Sequence, residues 1–142
     1  MAGTLTRDQR DALRADVILE LKGIDDFGLM FEKGRPEAAE RMRRKFEENA
    51  RLLDDLGWEE LDERESFELT MPPDRLTPLL RHFWQQADED LDCLQRELGV
   101  GRHPWQKEED YERERVAIRR EMDDDLDTRS ACVTALDALG VR

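Results

Sequence analysis

From Leu76 to Leu98 an apolar residue returns at every third or fourth position: Leu76, Leu80, Phe83, Ala87, Leu91, Leu94 and Leu98. A helix turns once per 3.6 residues, so this spacing gathers all seven on one stripe that other elements must cover. A chain carrying such a seam is committed to helix-on-helix packing. Pro72 and Pro73 precede the seam, and either Asp74 or Thr77 can cap the helix, with Pro78 tolerated in the first turn. Gly99, Gly101 and Pro104 end it, and Trp105 is expected to pack back as a plug over the end of the bundle.

The same period recurs on both sides. Thr6 followed by Gln9 is a capping-box pattern, and Leu13, Val17, Leu21, Ile24, Phe27 and Phe31 then step along one helix face. Gly23 and Gly28 mark a possible bend or early stop, and Gly34 with Pro36 ends this first helix and opens a second. The second runs from about Pro36 to Leu56, with Ala39, Met42, Phe46, Leu53 and Leu56 as its stripe and Gly57 as its stop. Asn49 falls on that stripe and is read as a solvated residue at its edge. A last helical region spans roughly 106–139 through Tyr111, Ile118, Met122, Leu126, Val133, Leu136 and Leu139, with Gly140 closing it. Asp123, Asp124, Asp125 and Asp127 crowd one turn of it, and their repulsion predicts a break near 127–130.

Between Trp58 and Pro73 the pattern changes to a charged loop followed by Phe67, Leu69 and Met71 alternating with Glu68 and Thr70. Period two indicates a strand over Ser66–Met71. A lone strand leaves its backbone groups unpaired, so it needs another segment or a second copy of the chain. The expected fold is mainly α: a four-helix up-down bundle, or paired helical hairpins, with one short strand near 66–71. One domain of 1–142 is expected, with 1–5 a flexible N-terminus, 58–73 loop plus strand, and 99–105 loop.

Thirty-six acidic against 23 basic residues give a net charge of -13. Such a surface repels nucleic acid and anionic membrane and favours a basic partner. The densest basic run, Arg41, Arg43, Arg44 and Lys45, is flanked by Glu37, Glu40, Glu47 and Glu48 and reads as salt-bridged helix turns. Cys93 and Cys132 lie in helical segments without metal-ligand spacing, which fits a reducing compartment, and no run of apolar residues resembles a secretion signal or a membrane span. A cytoplasmic protein is expected.

Nothing in the chain has the form of a catalytic motif. His82 and His103 lack a Glu three residues earlier, so a helical di-iron site is not indicated, and they read as surface or capping groups. Glu59, Glu60 and Glu63 read E-E-x-x-E, and Glu89 with Asp92 reads E-x-x-D, which resembles the paired acidic motif of all-helical nucleotide pyrophosphohydrolases. That resemblance implies a Mg²⁺ site on these five carboxylates and hydrolysis of a polyphosphate. With about a quarter of all residues acidic, so loose a pattern also arises by chance. The primary expectation is therefore a non-enzymatic acidic module without cofactor. It binds a protein partner or dimerises, either through Ser66–Met71 or through an exposed aromatic such as Trp84. The alternative is the Mg²⁺-dependent phosphohydrolase, and a third reading is a mimic of duplex DNA. The segment RLLDDLGWEELDERESFELTMPPDRLTPLL, Arg51–Leu80, is similar to one associated with small bacterial proteins that also share Glu32-Lys33-Gly34. It brings no activity or site residues with it. The hairpin from Phe27 to Gly57 faintly resembles one tetratricopeptide unit, but no second copy follows.

Overall fold

The computed structural model describes the backbone of residues 3–32 and 36–141, and the side chains of 3–24 and 36–141. These residues form four helices and one two-stranded sheet, in the order β1 Thr4–Thr6, α1 Arg7–Glu32, α2 Pro36–Leu56, β2 Ser66–Glu68, α3 Pro73–Gly99 and α4 Glu108–Ala138. The architecture is mainly helical. The turn expected around Gly34, and the packing of Phe27 and Phe31, lie outside the described residues.

The capping box forms as its letters predict. Gln9 N donates to Thr6 Oγ1 at 3.3 Å, and Thr6 N donates to Gln9 Oε1 at 3.0 Å, so two backbone donors at the start of α1 are satisfied reciprocally. Gln9 Nε2 reaches on to Ser130 and Thr134 hydroxyls, tying this helix start to α4. α1 continues through Gly23 without interruption.

Thr4–Thr6 is strand rather than flexible terminus. It pairs antiparallel with β2 in the register Thr4 to Glu68, Leu5 to Phe67 and Thr6 to Ser66, which places Leu5 and Phe67 together in the core. Regular strand therefore stops at Glu68, although the inward alternation persists through buried Leu69 and Met71.

α1 packs on α2 and α3 on α4, and the α1–α4 contact joins the two pairs, whereas α2 meets α3 only lightly. The core cluster draws on every element, from Leu5 through Leu13, Val17, Leu52, Leu53, Leu56 and Phe67 to Leu76, Leu80, Phe83, Ala131 and Leu136.

Several expectations are corrected. α3 begins at Pro73 with Pro72 at its N-cap and no side-chain cap, so neither Asp74 nor Thr77 caps it and Pro78 lies in its second turn. Trp105 is 80% exposed and stacks on His103 with ring centroids 4.5 Å apart; it plugs nothing. Asn49 is buried, donating its amide to Lys45 O at 2.8 Å while its Oδ1 has no partner. α4 runs unbroken through the aspartate run, with Asp123 and Asp124 exposed to solvent, Asp127 half-buried and only Asp125 buried.

Candidate functional site

The E-E-x-x-E segment is a loop whose backbone, rather than its carboxylates, is organised. Arg10, only 2% exposed, donates from Nε to Leu56 O at 2.6 Å, from Nη1 to Glu60 O and Asp11 Oδ1 at 2.8 Å, and from Nη2 to Glu59 O at 2.6 Å and Gly57 O at 3.5 Å. All five guanidinium N–H groups are thereby used. Arg14 adds bonds to Gly57 O, at 2.9 Å, and to Trp58 O. These two cations sit where α2 ends and its last carbonyls point outward, which both bonds them and complements the negative pole of the helix. Gly57 permits the turn with φ +91°, and a Cβ there would stand 2.8 Å from Asp62 and 2.9 Å from Arg64. The ring of Phe67 lies beneath Arg10 and Arg64, with Cζ at 5.0 and 4.6 Å from its centroid.

Glu59, Glu60 and Glu63 consequently point to solvent from this loop, while Glu89 and Asp92 lie exposed on α3. Glu89 accepts from Gln85 at 3.1 Å and Asp92 pairs with Arg96 at 2.8 Å, each within its own helix. Among the described residues no group of three or more His, Cys, Asp or Glu is arranged to hold a metal ion. The five carboxylates are not brought together as the resemblance implied.

A different set of acids converges. Between α1, α3 and α4 lies a cleft of about 590 Å³. It is lined by Asp8, Asp11 and Asp16 from α1, Asp90 from α3, and Glu121, Asp124, Asp125 and Asp127 from α4. Helical geometry explains the convergence. On α1 the residues Asp8, Asp11, Ala12, Ala15 and Leu19 follow steps of three or four and form a face beside the core stripe of Leu13, Val17 and Leu21. On α4 Glu121, Asp124 and Asp125 share a face in the same way, which carries Asp123 elsewhere. Ala12, Ala15 and Leu19 supply the cleft's aliphatic part, and Leu19 is 67% exposed. No Lys or Arg lines it among the described residues.

Asp125 is 8% exposed, and its Oδ2 is buried without a hydrogen-bond partner. Burial, then a hydrogen bond shared with the Asp90 carboxyl and the repulsion of its charge, with Asp16 and Glu121 adding to it, push its acid up to about 8. Asp16 is also raised, by burial first and then by Asp90 and Asp124, although Thr128 Oγ1 donates to it at 2.9 Å. Asp127 shifts the same way through burial and the charges of Asp8, Asp124 and Asp123. The cleft thus concentrates negative charge, and Arg10, paired with Asp11 at 2.8 Å, compensates one of its eight acids. Cys132 adds no nucleophile, since burial and then Asp16 push its thiol up to about 12.

A second depression, of about 520 Å³, is lined by Arg81, Trp84, Gln85, Val133, Leu136 and Asp137. Trp84 is half-buried there, with Arg129 over its ring at 5.3 Å and Arg129 itself paired to Asp88 at 3.2 Å. It is therefore neither fully covered nor freely exposed. β2 finds its partner in β1 of the same chain, so its backbone does not require a second copy. His82 bonds Glu20 at 2.5 Å across to α1, and His103 stacks on Trp105. No helix of the described residues is long and apolar enough to cross a membrane.

Sequence reasoning missed this cleft because it treated the aspartate run as a source of helix breakage rather than as one wall of a site. The available signal was the shared three-and-four spacing of acids on two separate helices. Comparison with known proteins finds no matching family model, curated protein or solved structure.

Proposed function

We propose that this protein is a non-enzymatic interaction module that takes a basic segment of a protein partner into the α1–α3–α4 cleft. The observation that carries this reading is eight acidic residues on three helices lining one volume, with no Lys or Arg lining it among the described residues and Arg10 paired with one of the eight, Asp11. Like charges held together store repulsion, and a partner's cations relieve it, so complementarity supplies both attraction and selectivity. The aliphatic wall of Ala12, Ala15 and Leu19 suits the methylene stems of lysine and arginine, which bury their chains while keeping their charged ends polar. Free thiols at Cys93 and Cys132 accord with a reducing, cytoplasmic setting.

Overall negative charge alone attracts any polycation, so the test must separate the cleft from the rest of the surface. Hexalysine titrated into the protein is expected to bind, and binding should weaken as salt rises. The triple variant Asp16→Asn, Asp90→Asn, Asp124→Asn should lose at least about tenfold in affinity, which is 1.4 kcal/mol. The charge-matched variant Glu59→Gln, Glu60→Gln, Glu63→Gln should lose much less. Equal losses from the two variants would refute a cleft-based module.

A further inference from the structure

Most exposed carboxylates of this chain are solvated or paired within their own helix, as Asp92 is with Arg96 and Glu40 with Arg43 and Arg44. Asp125 is neither. Its residue is more than nine-tenths buried, it lines the cleft, and one of its oxygens, Oδ2, is removed from water with no N–H or hydroxyl of the chain bonded to it. An acceptor left in that state is costly, and its cost is removed only by a donor from outside the chain or by a proton.

The groups around it offer no internal cation for that oxygen, and the carboxyl of Asp90 is a hydrogen-bond partner of Asp125 only while one of the two acids holds a proton. From α3 it faces Asp90, from α1 Asp16, and on its own helix Glu121 and Asp124, all acids. Thr128, one turn on, is already committed to Asp16, and β1 carries no charge. Arg129 is held away by Asp88 and Trp84. Resting on the reading of the cleft as a basic-segment site, we infer that Asp125 is the bottom of a socket for one lysine or arginine side chain of the partner, with Asp16 and Asp90 as its walls. The cation donates N–H to the orphaned oxygen, and the stem runs out past Ala15 and Leu19.

A chemical consequence follows. At neutral pH the carboxyl holds a proton that its burial, its hydrogen bond to Asp90 and the repulsion of Asp90 and Asp16 retain, and the arriving cation replaces it. The exchange balances as protonated socket plus cationic side chain giving carboxylate–cation pair plus one proton released to buffer. Affinity for a basic segment therefore rises with pH between about 6 and 9.

Calorimetric titration of hexalysine at pH 7, repeated in phosphate and in Tris, measures protons released per peptide, because the buffers differ in ionisation heat. The wild-type protein should release close to one proton. Asp125→Asn should release close to none and bind at least about tenfold more weakly, whereas Asp123→Asn, an equal charge change on the exposed side of α4, should stay near wild type. Asp125→Asn removes only a repulsive acid, and its helical dichroism is expected to match wild type. The proton count on the unmodified protein stands independently of any variant. Hexalysine binding without proton release, or equal weakening by the two variants, overturns the socket and leaves the cleft reading intact. No binding at all overturns both.

Discussion

At the scale of single residues, the fold turns on a group that apolar periodicity does not flag. Arg10 occupies a helix position one turn before Arg14, and its guanidinium satisfies carbonyls of Leu56, Gly57, Glu59 and Glu60 while lying over Phe67. A buried cation is tolerable only when such bonds compensate its lost hydration. Arg10→Met is expected to destabilise the protein by about 3 kcal/mol, measured by urea unfolding, because several acceptors then lose their partner inside the structure. Arg10→Lys should recover only a fraction, since one ammonium cannot span the planar fork of acceptors. A loss below about 0.5 kcal/mol for Arg10→Met would mean that water replaces the arginine freely. Asp55 plays a smaller part of the same kind, accepting from Thr70 N and Thr70 Oγ1 at 2.7 Å and from Arg51 at 3.1 Å, which ties the segment after β2 to α2.

At the scale of elements, α4 shows how charge and helix formation are reconciled. Asp123 and Asp124 stay exposed, Asp127 is half-buried, and the buried Asp125 keeps a proton well above the usual carboxylate range. The sign of its effect on stability is fixed by linkage. A carboxyl whose folded value lies above its unfolded value of 3.8 binds more protons in the native state. The stabilisation it contributes is full below about pH 4 and is lost as pH rises through about 8. Thermal melts should therefore find the wild type less stable at pH 9 than at pH 6. Asp125→Asn should flatten that slope and exceed the wild type at pH 9 by about 1 kcal/mol, a figure reduced for solvent screening in an open cleft. Identical slopes for the two proteins would show that Asp125 ionises without cost.

The helices themselves were legible because each writes its core face in a period that sequence displays: the Thr6–Gln9 box, the Pro36 start, the Gly57 stop and the Leu76–Leu94 seam all reappear in the structure. The first strand was not, since Thr4–Thr6 is three residues long with a single inward side chain, Leu5. The cleft was hidden for another reason. Its walls come from α1, α3 and α4, so the acids that meet there are separated by more than a hundred positions in the chain. Local spacing revealed each face but not which faces oppose one another. Asn49 misled for a different reason: it is buried with the α2 stripe on which it lies, although the polarity of its side chain argued for solvent.

At the scale of the whole molecule, a net charge of -13 is distributed unevenly, with eight acids lining the α1–α3–α4 cleft and Arg10 paired with one of them, while other acids such as Glu40, Asp62 and Asp88 each meet an arginine. On the reading proposed above, the charged cleft, rather than the acidic surface at large, receives a basic segment. Amide chemical-shift mapping during a hexalysine titration tests this most directly. The account predicts that the largest shifts fall at Asp16, Leu19, Asp90, Glu121, Asp124 and Asp125. Shifts spread evenly over the acidic exterior, with Glu59, Glu60 and Glu63 moving as far as the cleft residues, would contradict it.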